Sequence, residues 1–118
     1  MLSPILIAST DTSRQLLVMT VDGPLIDPEH VDALRLVLPA VPAGHSLIVD
    51  LTGASSFSDA ALEALRSVAR EAGELGQTMV VVCGDLDRRT DLVLADLDTL
   101  VPVVEAVEHA LPLTRAAA

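Results

Sequence analysis

Six side chains able to do polar chemistry crowd into one eleven-residue stretch, 50–60. They are the hydroxyls of Thr52, Ser55, Ser56 and Ser58 and the carboxylates of Asp50 and Asp59. Apolar residues resume at helical spacing from Leu62, so the hydroxyls stand just before a helix N-terminus. Backbone N–H groups at such an end point at whatever precedes them. The stretch therefore suits an anion, a phosphate, or a partner that reads a phosphate. On pattern alone a plainer role is favoured: Ser58 can cap the helix by accepting one of its free N–H groups.

The other reactive side chains form no catalytic constellation. His30, His45 and His109 are scattered, and no Ser/His/Asp order is suggested. Cys83, the single cysteine, ends an apolar run and reads as a small core residue; an internal disulfide is excluded, and no CxxC or Cys/His cluster suggests zinc. Gly84-Asp85-Leu86-Asp87 has one glycine and two carboxylates, so it is not a phosphate loop. Asp85, Asp87 and Asp91 lack calcium-loop spacing and read as a helix start. Neither a metal nor a cofactor is expected.

Composition narrows the partners. The net charge is −10, with seven arginines and no lysine. Such a field repels polyanions, and with one Phe, no Tyr and no Trp there is no base-stacking platform; nucleic acid is excluded. An acidic surface suits a basic protein partner instead. Half of the residues are hydrophobic, which argues against disorder, and 118 residues suffice for one core. That core must be built of Leu, Val, Ile and Ala. No signal peptide is evident, and no apolar run reaches the roughly eighteen residues of a membrane span, so a cytoplasmic protein without membrane insertion is expected.

The flanking elements are those that would hold the polar stretch in place. Pro4–Ala8 and Gln15–Val21 read as a hairpin around a polar turn, with Asp22-Gly23-Pro24 breaking the second strand. Asp27 caps a helix that Pro28 opens, with Val31, Leu34, Val37 and Leu38 inward and Pro39 and Pro42 as its stop. Leu47–Leu51 is a buried strand. After the polar loop comes a helix with Ala61, Leu62, Leu65, Val68, Ala69 and Ala72 on one side, an Arg70–Glu74 pair in support, and Gly73 and Gly76 at its end. Thr78–Cys83 is a strand buried on both faces. Asp87–Ala95 is a helix with Leu92, Val93 and Ala95 available to pack. Val101-Pro102-Val103 is too short to assign, Val104–Leu111 is a last short helix, and Thr114–Ala118 frays. Strands alternating with helices predict an α/β fold: a mixed four- to five-stranded sheet with helices mainly on one face, in a single domain spanning 1–118 with its core at about 4–112.

These residues resemble the STAS domain of bacterial anti-sigma factor antagonists. That family has a strand ending D-L-S-G, then D-S-S-G-L opening a helix. Here the residues are Asp50-Leu51-Thr52-Gly53 and Ser58-Asp59-Ala60-Ala61-Leu62, at the same spacing. A family-like L-D-x-L-x-P-V follows as Leu97-Asp98-Thr99-Leu100-Val101-Pro102-Val103, then Ala110-Leu111. Gly23-Pro24-Leu25-Ile26-Asp27 is similar to the family's G-x-L-D with one extra residue. The order and spacing of the motifs persuade more than any one of them.

What the resemblance implies is a non-catalytic interaction domain that binds an anti-sigma factor, typically a kinase-like ATPase, and so regulates transcription. The implied partner surface is Ser55, Ser56, Phe57, Ser58 and Asp59 with Glu63, Arg66 and Arg70 on the helix, and Asp27 close by. One departure stands out. The family's phosphate-accepting serine is Ala60 here, which has no hydroxyl, so the usual switch is absent. Asp59 sets a fixed charge one residue earlier, and Ser58 is the nearest substitute acceptor. The alternative reading is a STAS-like structural subunit of a transporter complex, a sensor scaffold or a homodimer. A small α/β enzyme is the third.

Overall fold

In the computed structural model, residues 5–11 and 13–114 are described. Pro4, the expected turn residue Thr12 and the expected frayed end 115–118 lie outside them.

The sheet begins with the expected hairpin. Strand β1 (Ile5–Asp11) pairs antiparallel with β2 (Leu16–Leu25) in unbroken register from Ile5↔Asp22 to Asp11↔Leu16. Asp11 closes the turn: its Oδ1 accepts from the Ser13 hydroxyl at 2.7 Å and from the N–H groups of Ser13 and Arg14 at 3.1 and 3.2 Å. The Ser13 hydroxyl, foremost, and the Arg14 N–H lower the Asp11 pKa, because both favour the charged carboxylate.

From β2 onward every strand is parallel to its neighbour. Strands β3 (Ser46–Phe57), β4 (Met79–Val82) and β5 (Val103–Val104) complete a five-stranded sheet in the order β1-β2-β3-β4-β5. The residues too short to assign from sequence thus contribute half of β5, which survives on two residues because β4 supports it. Helices α1 (Pro28–Arg35), α2 (Val37–Ala40), α3 (Asp59–Glu74) and α4 (Leu86–Leu94) make the crossovers, and α5 (Val107–Thr114) ends the described chain.

Strands added in sequence order by crossovers of one hand put their helices on one face. Alternation along the strands then sorts the side chains. Leu17, Met19, Val21, Leu47, Val49, Leu51, Met79, Val81 and Cys83 join the main core with residues of α1 to α4. Leu16, Ile48, Val80 and Val82 point the other way and meet Ala110, Val107 and Leu111 of α5. The expectation of a mixed sheet with helices mainly on one face holds, and β4 is buried on both faces as its composition required.

Several local expectations are corrected. The helix expected through Leu38 breaks at Leu36, and Pro39 sits inside the short α2 rather than after it. Asp27 holds the N-cap position of α1 without any side-chain cap bond. Strand β2 runs through Asp22-Gly23-Pro24 to Leu25, absorbing the break as register shifts, with Gly23 at φ 93°. Gly73 lies within α3, and Gly76, at φ 68°, is the residue past its end. Arg70 pairs with Glu63 at 3.8 Å; an Arg70–Glu74 pair is not among the ion pairs of the described residues. The last helix starts at Val107, three residues late, because Val104 belongs to β5.

Candidate functional site

The polar stretch is not a free loop. Strand β3 continues through Thr52, Gly53, Ala54, Ser55 and Ser56 to Phe57, pairing in parallel with β2 up to Leu25↔Phe57. Between Asp50 and Ser56 it carries two more residues than the facing part of β2, and the ladder shifts at Thr20/Asp22 and at Gly23/Pro24. Each shift is a bulge, which bends the strand and re-aims its side chains.

The Asp50-Leu51-Thr52-Gly53 motif is what holds this bent strand. The Asp50 carboxylate accepts the Thr52 N–H at 3.0 Å, fixing the first bulge. The Thr52 hydroxyl oxygen accepts the Gly84 N–H at 3.2 Å and ties β3 to the end of β4. Gly53 lies under the Asp22 side chain: a Cβ there would collide with that carboxylate and press on the Val21 carbonyl at 3.2 Å. Leu51 is fully buried. All four motif residues thus have structural work, and two of the six polar side chains, Asp50 and Thr52, are committed to it.

The chain turns into α3 at Ser58. Its N–H donates to the Leu25 carbonyl at 3.1 Å, which locks the turn against the end of β2. Its hydroxyl oxygen accepts the Ala61 N–H at 3.1 Å, the capping bond that the sequence allowed. Asp59 and Ala60 are exposed in the first turn, where a carboxylate complements the positive end of the helix dipole. Asp27 is exposed two residues beyond Leu25, so the β2 end that anchors Ser58 also sets Asp27 beside the surface. Its Oδ2 lies 3.8 Å from His30 Nδ1.

Among the remaining residues expected at the surface, Ser55 is exposed, Ser56 is half-buried, and Phe57 packs against the main core. Glu63 is exposed on the next turn of α3, 3.5 Å from Arg66 and 3.8 Å from Arg70. Of the predicted residues, Ser55 to Asp59 lie at the end of β3 and the start of α3, Glu63, Arg66 and Arg70 follow along α3, Asp27 precedes α1, and Phe57 turns inward as an anchor.

Sequence reasoning missed the neighbour of this surface, α4. Arg88 reaches from α4 to the Ser55 carbonyl, donating from Nη1 at 3.0 Å. It also lies 3.5 Å from Asp91. Arg89 pairs with Glu105 at 2.9 Å. Asp85 caps α4, accepting the N–H groups of Asp87 and Arg88 at 2.8 and 3.3 Å, as expected of that acidic run. Among the described residues no group of His, Cys, Asp or Glu is arranged to hold a metal. Cys83 is buried, and that burial raises its thiol pKa; nothing there activates a nucleophile. No helix of the described residues is long and apolar enough to cross a membrane.

With this geometry in view, the comparisons define the class. The STAS domain family matches residues 8–110, nearly the whole chain, and the chain belongs to that family. An anti-sigma factor antagonist from Mycobacterium paratuberculosis shares the fold at a TM-score of 0.79 and 23% identity, over 96% of this chain and 95% of that one. A sulfate transporter family protein from Wolinella succinogenes superposes at 0.75 and 13% identity, over 92% of this chain and 89% of that one. The murine anion transporter Solute Carrier 26 family member A9 does so at 0.70 and 17% identity, over 86% of this chain but 18% of that one. No curated protein matches. STAS domains are in general binding domains rather than catalysts, and this fold serves both antagonists and transporters.

Proposed function

We propose that this chain is a non-catalytic, cytoplasmic STAS regulator of the anti-sigma factor antagonist type. It binds an anti-sigma factor of the kinase-like ATPase class and so frees a sigma factor for transcription. The partner surface is Ser55–Asp59 together with Glu63, Arg66, Arg70 and Asp27. Phe57 supports this surface from below.

One observation carries the reading. At the head of α3 an exposed carboxylate, Asp59, stands beside an exposed methyl group, Ala60, while the Ser58 hydroxyl caps the helix. The usual switch needs a hydroxyl at the position that Ala60 occupies. Here the charge at the helix start is permanent and carries one unit rather than nearly two. The regulator is therefore constitutive, held in one binding state.

The test is phosphorylation of wild type and Ala60→Ser by the kinase-like anti-sigma factor of the same genome, read by intact mass. Wild type should remain unmodified and Ala60→Ser should gain one phosphate. Phosphate on wild type, mapped to Ser58, Ser56 or Ser55, would overturn the constitutive reading. The missing hydroxyl also suits a structural subunit of a transporter complex, a sensor scaffold or a homodimer. That alternative predicts modification of neither protein and no bound anti-sigma factor.

A further inference from the structure

The two edges of the sheet are unlike. At one, β5 is two residues long, too short to template a further strand. At the other, β1 runs seven residues, and among the described residues it pairs with β2 alone. The strand itself carries none of the usual protections of an edge. It has no proline and no lysine, no bulge interrupts its register with β2, and its one charged residue is the last, Asp11. That carboxylate is already engaged by the Ser13 hydroxyl and lies 3.9 Å from Arg14. The N–H and C=O groups on the outer side of β1 are a template for another strand.

Beside this edge lies a groove of about 230 Å³. The hairpin lines it with Leu6, Ala8 and Met19. Helices α1 and α2 line it with Ala33, Leu36, Val37 and Ala40, a stripe at i, i+3, i+4 and i+7. Leu36 is 68% exposed. No ionisable side chain lines the groove, on a chain of net charge −10. The exposed charges next to the stripe in sequence, Asp32 and Arg35, are of opposite sign. The groove therefore sets no like charge against a second copy. The strand is also self-complementary. Two copies related by a two-fold axis must pair β1 antiparallel. Centred on Ala8, the midpoint of Ile5–Asp11, all seven residues find a partner. Ile5 stands opposite Asp11 of the second copy, Leu6 opposite Thr10, Ile7 opposite Ser9 and Ala8 opposite Ala8. The two Asp11 carboxylates fall at opposite ends. A strand of another protein would need none of this fit.

We propose that β1 pairs with β1 of a second copy, antiparallel and centred on Ala8, joining two five-stranded sheets into one. The two-fold axis stands normal to the sheet, so the helices of both copies stay on one face. The small Ala8 pair leaves room above it, and the Leu36 side chains of the two copies close over that space. The α3 surface takes no part in the contact, so the dimer stands whether or not that surface binds an anti-sigma factor.

The experiment is sedimentation equilibrium of the full chain across a wide range of concentration, in which the mass should rise from that of one chain to that of two. Ala8→Lys sets like charges opposite each other at the axis and should weaken the dimer about tenfold. Leu36→Ser should weaken it about tenfold, the scale of losing one buried leucine. Leu94→Ser, at a leucine 77% exposed on α4, should leave it unchanged. Thermal unfolding at a dilution where the chain is monomeric checks that each variant folds. Oxidation reads the register. Ala8→Cys should form a disulfide-linked dimer, because opposed residues of an antiparallel pair stand about 4.5–5.5 Å apart at Cα. Thr10→Cys should not, since its two copies stand roughly 14 Å apart. Cys83 is buried and does not compete. A chain that stays monomeric at every concentration overturns the proposal and leaves the edge to a strand of another protein. A dimer indifferent to Ala8→Lys and Leu36→Ser, or a disulfide formed by Thr10→Cys, overturns it equally.

Discussion

Arg88 donates from Nη1 to the main-chain carbonyl of Ser55, 3.0 Å away and thirty-three residues distant in sequence. This bond joins α4 to the last residues of β3 and ties the two elements together. Removing it in Arg88→Ala should cost about 1–2 kcal/mol, the low end for a charged donor because the site is part-exposed. Urea denaturation measures the loss, and Arg88→Lys should recover only part of it, since the shorter lysine side chain must carry its ammonium to the place where Nη1 meets both the Ser55 carbonyl and Asp91.

Ser58 is a cap before it is anything else. Ser58→Ala should destabilise the chain by about 1 kcal/mol, while Ser58→Asp, which keeps an acceptor at the N-cap, should stay within a few tenths of wild type. Thermal or urea unfolding of the pair checks this. Equal losses in both variants would show that the Ala61 N–H bond is not what the hydroxyl contributes.

Gly53 is required by Asp22 rather than by its own backbone angles. Gly53→Ala should cost about 1 kcal/mol through crowding of the Asp22 carboxylate and the Val21 carbonyl. The same substitution in an Asp22→Ala background should cost clearly less, because the flexible half of the obstacle has gone. A double-mutant cycle by urea unfolding measures that coupling.

Cys83 gives a pH dependence whose sign follows from its burial. Its folded-state pKa is raised, chiefly by desolvation of the thiolate. Above about pH 8.5 the unfolded chain loses this proton more readily than the folded one. The unfolded state then binds fewer protons, so the Cys83 contribution makes stability fall as pH rises. Cys83→Ala should flatten that alkaline decline, at a fixed cost from the smaller side chain. Folded protein should also resist thiol alkylation at neutral pH and react once denatured.

The order of elements was legible because each rests on local chemistry: β-branched runs for β3 and β4, Asp85 and Ser58 as caps, and helical spacing from Ala61 to Ala72. The misread parts depend on distant partners. Thr52 to Phe57 looks like a polar loop, yet it is strand, because β2 supplies a ladder that no local residue announces. Arg70 chose Glu63 over Glu74, a choice made by side-chain geometry seven residues apart. Val93, which the spacing makes available to pack, is exposed, and Leu92 is the buried residue of α4. The candidate site rests on Ser58, Asp59 and the missing hydroxyl at Ala60. Its tie to α4 was invisible, because nothing in the α4 sequence says that Arg88 reaches Ser55.

The central claim is that Asp59 and its neighbours on α3 form a constitutive binding surface for an anti-sigma factor. Affinity capture from the native lysate tests it most directly, with wild type beside Asp59→Ala and Glu63→Ala and the bound proteins identified by mass. The account predicts a kinase-like anti-sigma factor retained by wild type, weakened in both variants and released by salt. Capture of that factor unchanged by either substitution would contradict the surface, and recovery of transporter or scaffold subunits in its place would contradict the function.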